Sequence, residues 1–325
     1  SVIFIVFLMV VNYIGVRWGA NLQNLLTIIK FSALVGICGV IFILAKGNAS
    51  NFVSPSPKAF SGNLFGSFSL ALVASLWAYK GWEQSTYSAG ETKNPQRNLP
   101  LGLFIGIVAC IAIYILAQLA YLYVLPASAI AKSDRIAADA MNQVVGPIGA
   151  SIISFIILFS IMGATNQNFL CSPRVYYAMA KDGIFFRGLA AVHPKFLTPH
   201  VSIIAMGAWS MILILFIGTF ERLFTYVIFG QWIFFGLTVA AVIILRVRRP
   251  DLPRPYKTWG YPITPIIFIL AALYISINSL INQFWNAMAG LGIILLGLPF
   301  FLYWKRKSVK TSRNPDRKDR PSKMN

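Results

Sequence analysis

Charge is scarce in this chain of 325 residues: Asp, Glu, Lys and Arg together make up 11% of it, and only nine residues are acidic. A soluble domain carries about 25% charged residues, so an ordinary water-exposed surface cannot be assembled from this composition. Histidine and cysteine are also short, at two and three. Cys38, Cys110 and Cys171 lie in separate apolar stretches, and no pair has metal-ligand spacing. They read as small packing residues, and no metal site is expected. No phosphate-cradling glycine loop is present, which argues against an ATP-driven pump. The chain has no cluster of His, Asp or Cys at a membrane boundary, so a polytopic membrane enzyme has nothing to work with. No catalytic residue and no cofactor is expected.

Apolar residues, by contrast, are abundant, at 57% of the chain, with 14% aromatic. They gather in charge-poor runs of about 20 residues, the length that crosses a bilayer as a helix. Nine segments are expected: 2–16, about 21–45, 64–89, 101–124, 147–180, 201–217, 224–245, 263–281 and 284–303. The fold class is therefore an all-α polytopic membrane protein. The segments form a permease-like domain over 1–304, and 305–325 read as a basic, disordered tail. The loop 126–142 has room for a short helix.

The formal net charge of +19 invites a nucleic-acid reading, but its distribution does not support one. Nine of the 28 Lys and Arg fall in the last 21 residues. With the tail placed in the cytoplasm, 21 basic residues lie on the inner side and five on the outer, as the positive-inside rule requires. The tail then suits contact with anionic lipid. The carboxyl terminus is expected in the cytoplasm and the protein in the cell membrane.

The third segment is the anomaly. It begins as an apolar helix and is interrupted by Trp77, Ala78, Tyr79, Lys80, Gly81, Trp82 and Glu83. Ionisable residues at membrane depth are costly, which makes them functional suspects. Broken backbone is tolerated there only against protein or a watery cavity. The sequence thus predicts a discontinuous helix at a substrate site. Lys80 and Glu83 are three residues apart, as a self-neutralising pair or as one partner lining a solute path. Trp77, Tyr79 and Trp82 are core packing, an interface belt, or a gate over a solute. Lys30 either snorkels to the interface or presents a buried ammonium to the bundle. Asn166 is interhelical glue or part of the site.

These residues carry a resemblance. The run from Trp77 through Glu91 and Asn94 to Pro100, WAYKGWEQSTYSAGETKNPQRNLP, resembles the sixth-helix signature of the amino acid/polyamine/organocation permeases, in particular their L-amino-acid transporter branch. SPRVYYAMAKDGIFF with HPKFLTP is similar to the signature after that family's eighth helix, and Gln23, Thr27 and Lys30 to its fifth. The resemblance implies an inverted-repeat, broken-helix bundle of about twelve helices, of which this chain would be helices four to twelve. The chain opens on Ser1 without a charged leader or cleavage site, and an outside start fits helices missing upstream. By the same resemblance, backbone carbonyls near Trp77 and Lys80 would receive a substrate ammonium, with Ala78, Tyr79 and Gly81 completing the break and Trp77 at the gate. Lys30 would stand where relatives bind sodium. Lysine at 80 and glutamate at 83 depart from the usual family residues.

The function these readings imply is secondary active transport of amino acids by alternating access, as an exchanger or a proton-linked symporter, with no nucleic-acid partner. Its rivals are a transport-inactive scaffold or sensor that keeps the fold and, with less to support it, the membrane enzyme.

Overall fold

The computed structural model describes residues 2–53, 71, 75, 78–217, 220–254, 256–282 and 284–312; within these, the side chains of 216–229, 282, 286 and 307–312 are not described. The described residues form eleven α-helices. They are α1 (Val2–Ile14), α2 (Val16–Leu44), a single turn α3 (Gln84–Tyr87), α4 (Pro95–Val124), the short α5 (Ala127–Ile130), α6 (Ile136–Val145), α7 (Pro147–Lys181), α8 (His200–Ile217), α9 (Phe220–Arg248), α10 (Ile263–Asn282) and α11 (Phe284–Ser312). Six of them are long and apolar enough to cross a membrane, and Val2–Ile14 and His200–Leu215 are shorter apolar helices. Eight of the nine expected segments therefore appear as helices, and most of the third lies outside the described residues. Large side chains such as Ile43, Leu215 and Phe104 stand outward with most of their area uncovered. This is the surface of a polytopic helical membrane protein, whose outer apolar face meets lipid.

Several helix ends differ from expectation for local reasons. The turn expected around Arg17 shrinks to Gly15, in extended conformation, and α2 starts at Val16. Helix α4 begins at Pro95 and passes through Pro100 instead of starting after it. Proline fits the first helical position, where its missing N–H costs nothing. Ahead of it, Asn94 sits in the left-handed region at φ 47°. Its carbonyl accepts from the Arg97 and Asn98 N–H groups at 3.1 and 3.0 Å, and the Asn98 amide donates to the Lys93 carbonyl at 2.6 Å. Helix α11 continues through Ser312, so the first basic residues of the expected tail are helical.

The chain divides into two compact units: Ser1–Arg174 with His193–Thr198, and Val175–Val192 with Pro199–Asn325. In the first, α2 and α7 run antiparallel. A Cβ added to Gly19 would lie 3.2 Å from Leu170, and one added to Gly163 would lie 3.3 Å from Leu26. Seven residues separate the two contact points on each helix, so the two helices keep the same register over two turns. Small residues at such crossings let backbones approach closely where no hydrophobic effect drives association. A second cluster joins Ile37, Cys38 and Ile41 of α2 to Ala117, Ala120 and Tyr121 of α4 and Ala138, Ala140 and Met141 of α6. The HPKFLTP stretch folds into a tight turn. His193 Nδ1 accepts from the Lys195 and Phe196 N–H groups, both at 3.2 Å, and the buried Thr198 hydroxyl donates to the Tyr13 carbonyl at 2.8 Å. This motif is a joint to the end of α1.

In the second unit, Gly236 of α9 faces Ala272 of α10, and Phe185, Phe186 and Trp304 form an aromatic cluster with centroids 4.8 to 5.4 Å apart. Arg254 folds back on the end of α9, donating to the Leu245 and Arg249 carbonyls at 3.2 and 2.6 Å. Leu245 lies in the last turn of the helix and Arg249 just past its end, so the guanidinium fastens the following loop onto the helix end.

Candidate functional site

The interruption in the third segment is where the sequence places it. Ala71, Ser75 and Ala78 are helical, Tyr79 to Glu83 form turns, and only one helical turn, Gln84–Tyr87, follows before a 3-10 stretch at Ala89–Glu91. Gly81 sits at φ +114°, a value that side chains with a Cβ rarely adopt. The buried carboxylate of Glu83 reaches back and accepts the Gly81 N–H at 3.0 Å. On the other side of the turn, the Ala78 carbonyl accepts the Tyr114 hydroxyl at 3.0 Å, and the rings of Tyr79 and Tyr114 meet edge to face at 5.2 Å. Backbone groups freed by the break are thus partly held by side chains, as a non-helical stretch at membrane depth requires.

A cavity of about 530 Å³ opens against this turn, a size suited to a small solute. Ala78, Lys80, Gly81 and Gln84 form one wall, Gln23, Leu26, Thr27, Lys30 and Phe31 of α2 the second, and Ser160, Gly163, Ala164, Gln167 and Asn168 of α7 the third. Lys30 is half-buried and Lys80 is exposed into the space. A second cavity of about 740 Å³ lies toward α4 and shares Ala78, with Ser75, Tyr79, Tyr114 and Gln118 among its lining.

Behind the first cavity runs a buried amide network. Asn166 is fully buried; its Oδ1 accepts from Asn12 Nδ2 at 2.9 Å, and its Nδ2 donates to the Gly19 carbonyl at 3.1 Å and to Gln23 Oε1 at 3.0 Å. Gln23 in turn donates to Thr27 Oγ1 at 3.4 Å. Three helices, α1, α2 and α7, are tied at one level, and two of the cavity's polar groups are held by the tie. Asn12 also donates to the Leu8 carbonyl at 2.9 Å, while its Oδ1 faces Gly19 and has no hydrogen-bond partner among the described residues.

Two further contacts anchor the chain after the break to α7. Gln84 Nε2 donates to Asn168 Oδ1 at 2.8 Å. Lower down, Arg174 grips Glu91 with two bonds, Nε to Oε1 at 3.0 Å and Nη2 to Oε2 at 3.1 Å. The fork geometry of guanidinium matches a carboxylate this way.

Of the residues singled out from sequence, Lys30, Ala78, Lys80 and Gly81 come together at one cavity, and Tyr79 lines the other. Trp82, Glu83 and Asn166 line neither of these two cavities, and Trp77 lies outside the described residues. Glu83 holds the turn, and Asn166 is the centre of the helix tie. Sequence reasoning did not reach Tyr114 and Gln118, Gln84, or the Glu91–Arg174 pair. A tyrosine and a glutamine four residues apart in the charge-free stretch of α4 were a readable signal, since they share one helix face.

A family model described as amino acid permease matches residues 1–298. The chain is 34% identical over 309 residues to the b(0,+)-type amino acid transporter 1 of Mus musculus, covering 93% of this chain and 62% of that protein. It is 33% identical over 312 residues to the serine/threonine exchanger SteT of Bacillus subtilis, covering 95% of this chain and 70% of that protein. The human cystine/glutamate transporter is 29% identical over 305 residues, with 92% and 59% covered. The chain thus spans about three fifths of the length of the mammalian relatives it matches.

Proposed function

Because the chain belongs to the amino acid permease family, we propose that its protein carries amino acids across the cell membrane by secondary active transport, working by alternating access around the interrupted helix. The observation that supports this best is the cavity at the break. Turned backbone at Tyr79 to Glu83, two lysines and a set of amide and hydroxyl groups converge in a bundle that is otherwise nearly free of charge. A zwitterionic solute needs polar partners of this kind, and discontinuous helices supply them at membrane depth.

In this reading Ala78, Tyr79, Lys80 and Gly81, with Trp77 beside them, bind the substrate backbone. Lys30, Trp82, Glu83 and Asn166 serve gating or coupling. Glu83 acts by holding the turn and Asn166 by holding α2 against α7. Lys30 places an ammonium where a bound cation would otherwise sit, which favours exchange or proton coupling. Residues 1–304 are the transport domain; the basic stretch after them lies in the cytoplasm and meets anionic lipid. The reading is one of transport and not of catalysis, in line with relatives whose names describe transporters and exchangers.

The test is counterflow. The product of the whole open reading frame, reconstituted in liposomes preloaded with a mixture of amino acids, is expected to accumulate labelled amino acid from outside. Uptake equal to that of protein-free liposomes, for all the amino acids tried, overturns the proposal.

A further inference from the structure

The loop from α9 to α10 joins two apolar spans, Gly230–Arg248 and Ile263–Ile281, and so lies at a membrane boundary. Between residues 246 and 261 it holds five basic side chains, Arg246, Arg248, Arg249, Arg254 and Lys257, and one acid, Asp251. Two of the five shape the loop. Arg254 donates to the carbonyls of Leu245, Arg249, Pro250 and Leu252 at 2.6 to 3.2 Å. Arg246 lies over the Tyr261 ring, 3.9 Å from its centroid, and donates to Thr258 Oγ1 at 3.4 Å. At the start of α10, the Thr264 hydroxyl donates to the Trp259 carbonyl at 2.7 Å. Arg249 stands 3.9 Å from Asp251. Arg248 and Lys257 remain, both exposed, on either side of the Arg246–Thr258 contact: one is two residues past Arg246, the other directly before Thr258.

Trp259 is 81% exposed and Tyr256 52%. Indole and phenol rings anchor a protein at the level of the lipid headgroups. Past Trp259 the apolar surface continues into α10, where Ile263, Ile267 and Leu270 stand outward at spacings of four and three on one helix face. Two cations, an indole and an apolar helix face in succession complement a molecule with an anionic head and a hydrocarbon tail. A soluble anion would use only the cations, and an uncharged lipid only the ring and the helix face. We infer that the α9–α10 loop is a binding site for an anionic phospholipid. Arg248 and Lys257 meet the headgroup phosphate, Trp259 the glycerol level, and the outward face of α10 an acyl chain. The loop is shaped by its own hydrogen bonds, so it offers a fixed site, unlike the diffuse attraction of the basic stretch after α11. This site is separate from the cavity at the break.

The test is quenching of tryptophan emission by lipids brominated on the acyl chain. The purified product of the whole open reading frame is placed in nanodiscs of phosphatidylcholine with a minor fraction of brominated phosphatidylglycerol or, in parallel, of brominated phosphatidylcholine. The difference between the wild type and Trp259→Phe isolates the signal of Trp259. Brominated phosphatidylglycerol is expected to occupy the site at least about fivefold better than brominated phosphatidylcholine, the factor that one basic residue near an anionic surface supplies. The double variant Arg248→Gln, Lys257→Gln is expected to make the two lipids equal while keeping the quenching by phosphatidylcholine, which shows the loop still in place. Arg248→Lys with Lys257→Arg keeps the charges and the preference. Inorganic phosphate, compared with chloride at equal ionic strength, is expected to leave the quenching unchanged. Equal quenching of wild-type Trp259 by the two lipids, or a preference that survives the double glutamine variant, overturns the inference. Emission restored by inorganic phosphate assigns the cations to a soluble anion and overturns it as well.

Discussion

Replacing Asn166 with alanine probes the tie between α1, α2 and α7 most cleanly. The side chain is fully buried and makes three interhelical hydrogen bonds, to Asn12, the Gly19 carbonyl and Gln23. Such bonds in membrane bundles average about 0.6 kcal/mol, with a maximum near 1.7. Three of them set a loss of about 2 kcal/mol, with a ceiling of about 5. The lower figure is favoured. Asn12 keeps its bond to the Leu8 carbonyl, and Gln23, only partly buried, keeps its bond to Thr27 and can turn to water. Thr165→Ala is the control, because among the described residues that exposed hydroxyl bonds only within its own helix, to the Ile161 carbonyl. Denaturant unfolding in detergent, followed by tryptophan fluorescence, should show a loss of about 2 kcal/mol for Asn166→Ala and under about 0.5 for Thr165→Ala. A double cycle with Gln23→Ala should return a coupling of about 0.6 kcal/mol. Equal stability of the two single variants would refute the network as a structural tie.

Glu91→Gln removes the charge from a bidentate pair whose arginine is 7% exposed and whose carboxylate is 43% exposed. Thermal unfolding should report a loss of about 1 to 2 kcal/mol, less than for a fully buried pair because water reaches the carboxylate side. Gly81→Ala meets no steric obstacle, since open space surrounds the added Cβ, but it must hold φ +114°. A cost of about 1 to 3 kcal/mol in backbone strain is expected, with uptake reduced more than expression. Lys30→Ala should abolish uptake or remove its pH dependence while membrane insertion stays normal; uptake with an unchanged pH profile would take Lys30 out of the coupling role.

Much of the fold was legible because membrane-spanning helices announce themselves by length and lack of charge. Segments five and eight match α7 and α10 to within a residue or two at each end. The errors came where single residues decide. Gly15 alone turns the chain between α1 and α2, and Pro95 outcompetes Pro100 as the helix start. The break was visible in Lys80, Gly81 and Glu83, yet their roles were not. A pairing three residues apart suggested charge neutralisation, and hydrogen-bond geometry shows Glu83 capturing a backbone amide as well. Tertiary partners 83 or 84 residues apart, Glu91 with Arg174 and Gln84 with Asn168, leave no local periodicity to read.

In the proposed mechanism an amino acid occupies the cavity against the break. Ala164 lines that cavity from α7, so Ala164→Cys places a thiol there. The native thiols of Cys38 and Cys171 are buried, and with Cys110 replaced by serine the new thiol is the accessible one among the described residues. Its rate of labelling by a membrane-impermeant methanethiosulfonate is the measurement. A transported amino acid is expected to slow labelling in proportion to occupancy, with half-protection at its transport affinity. Labelling at the same rate under saturating substrate would contradict it.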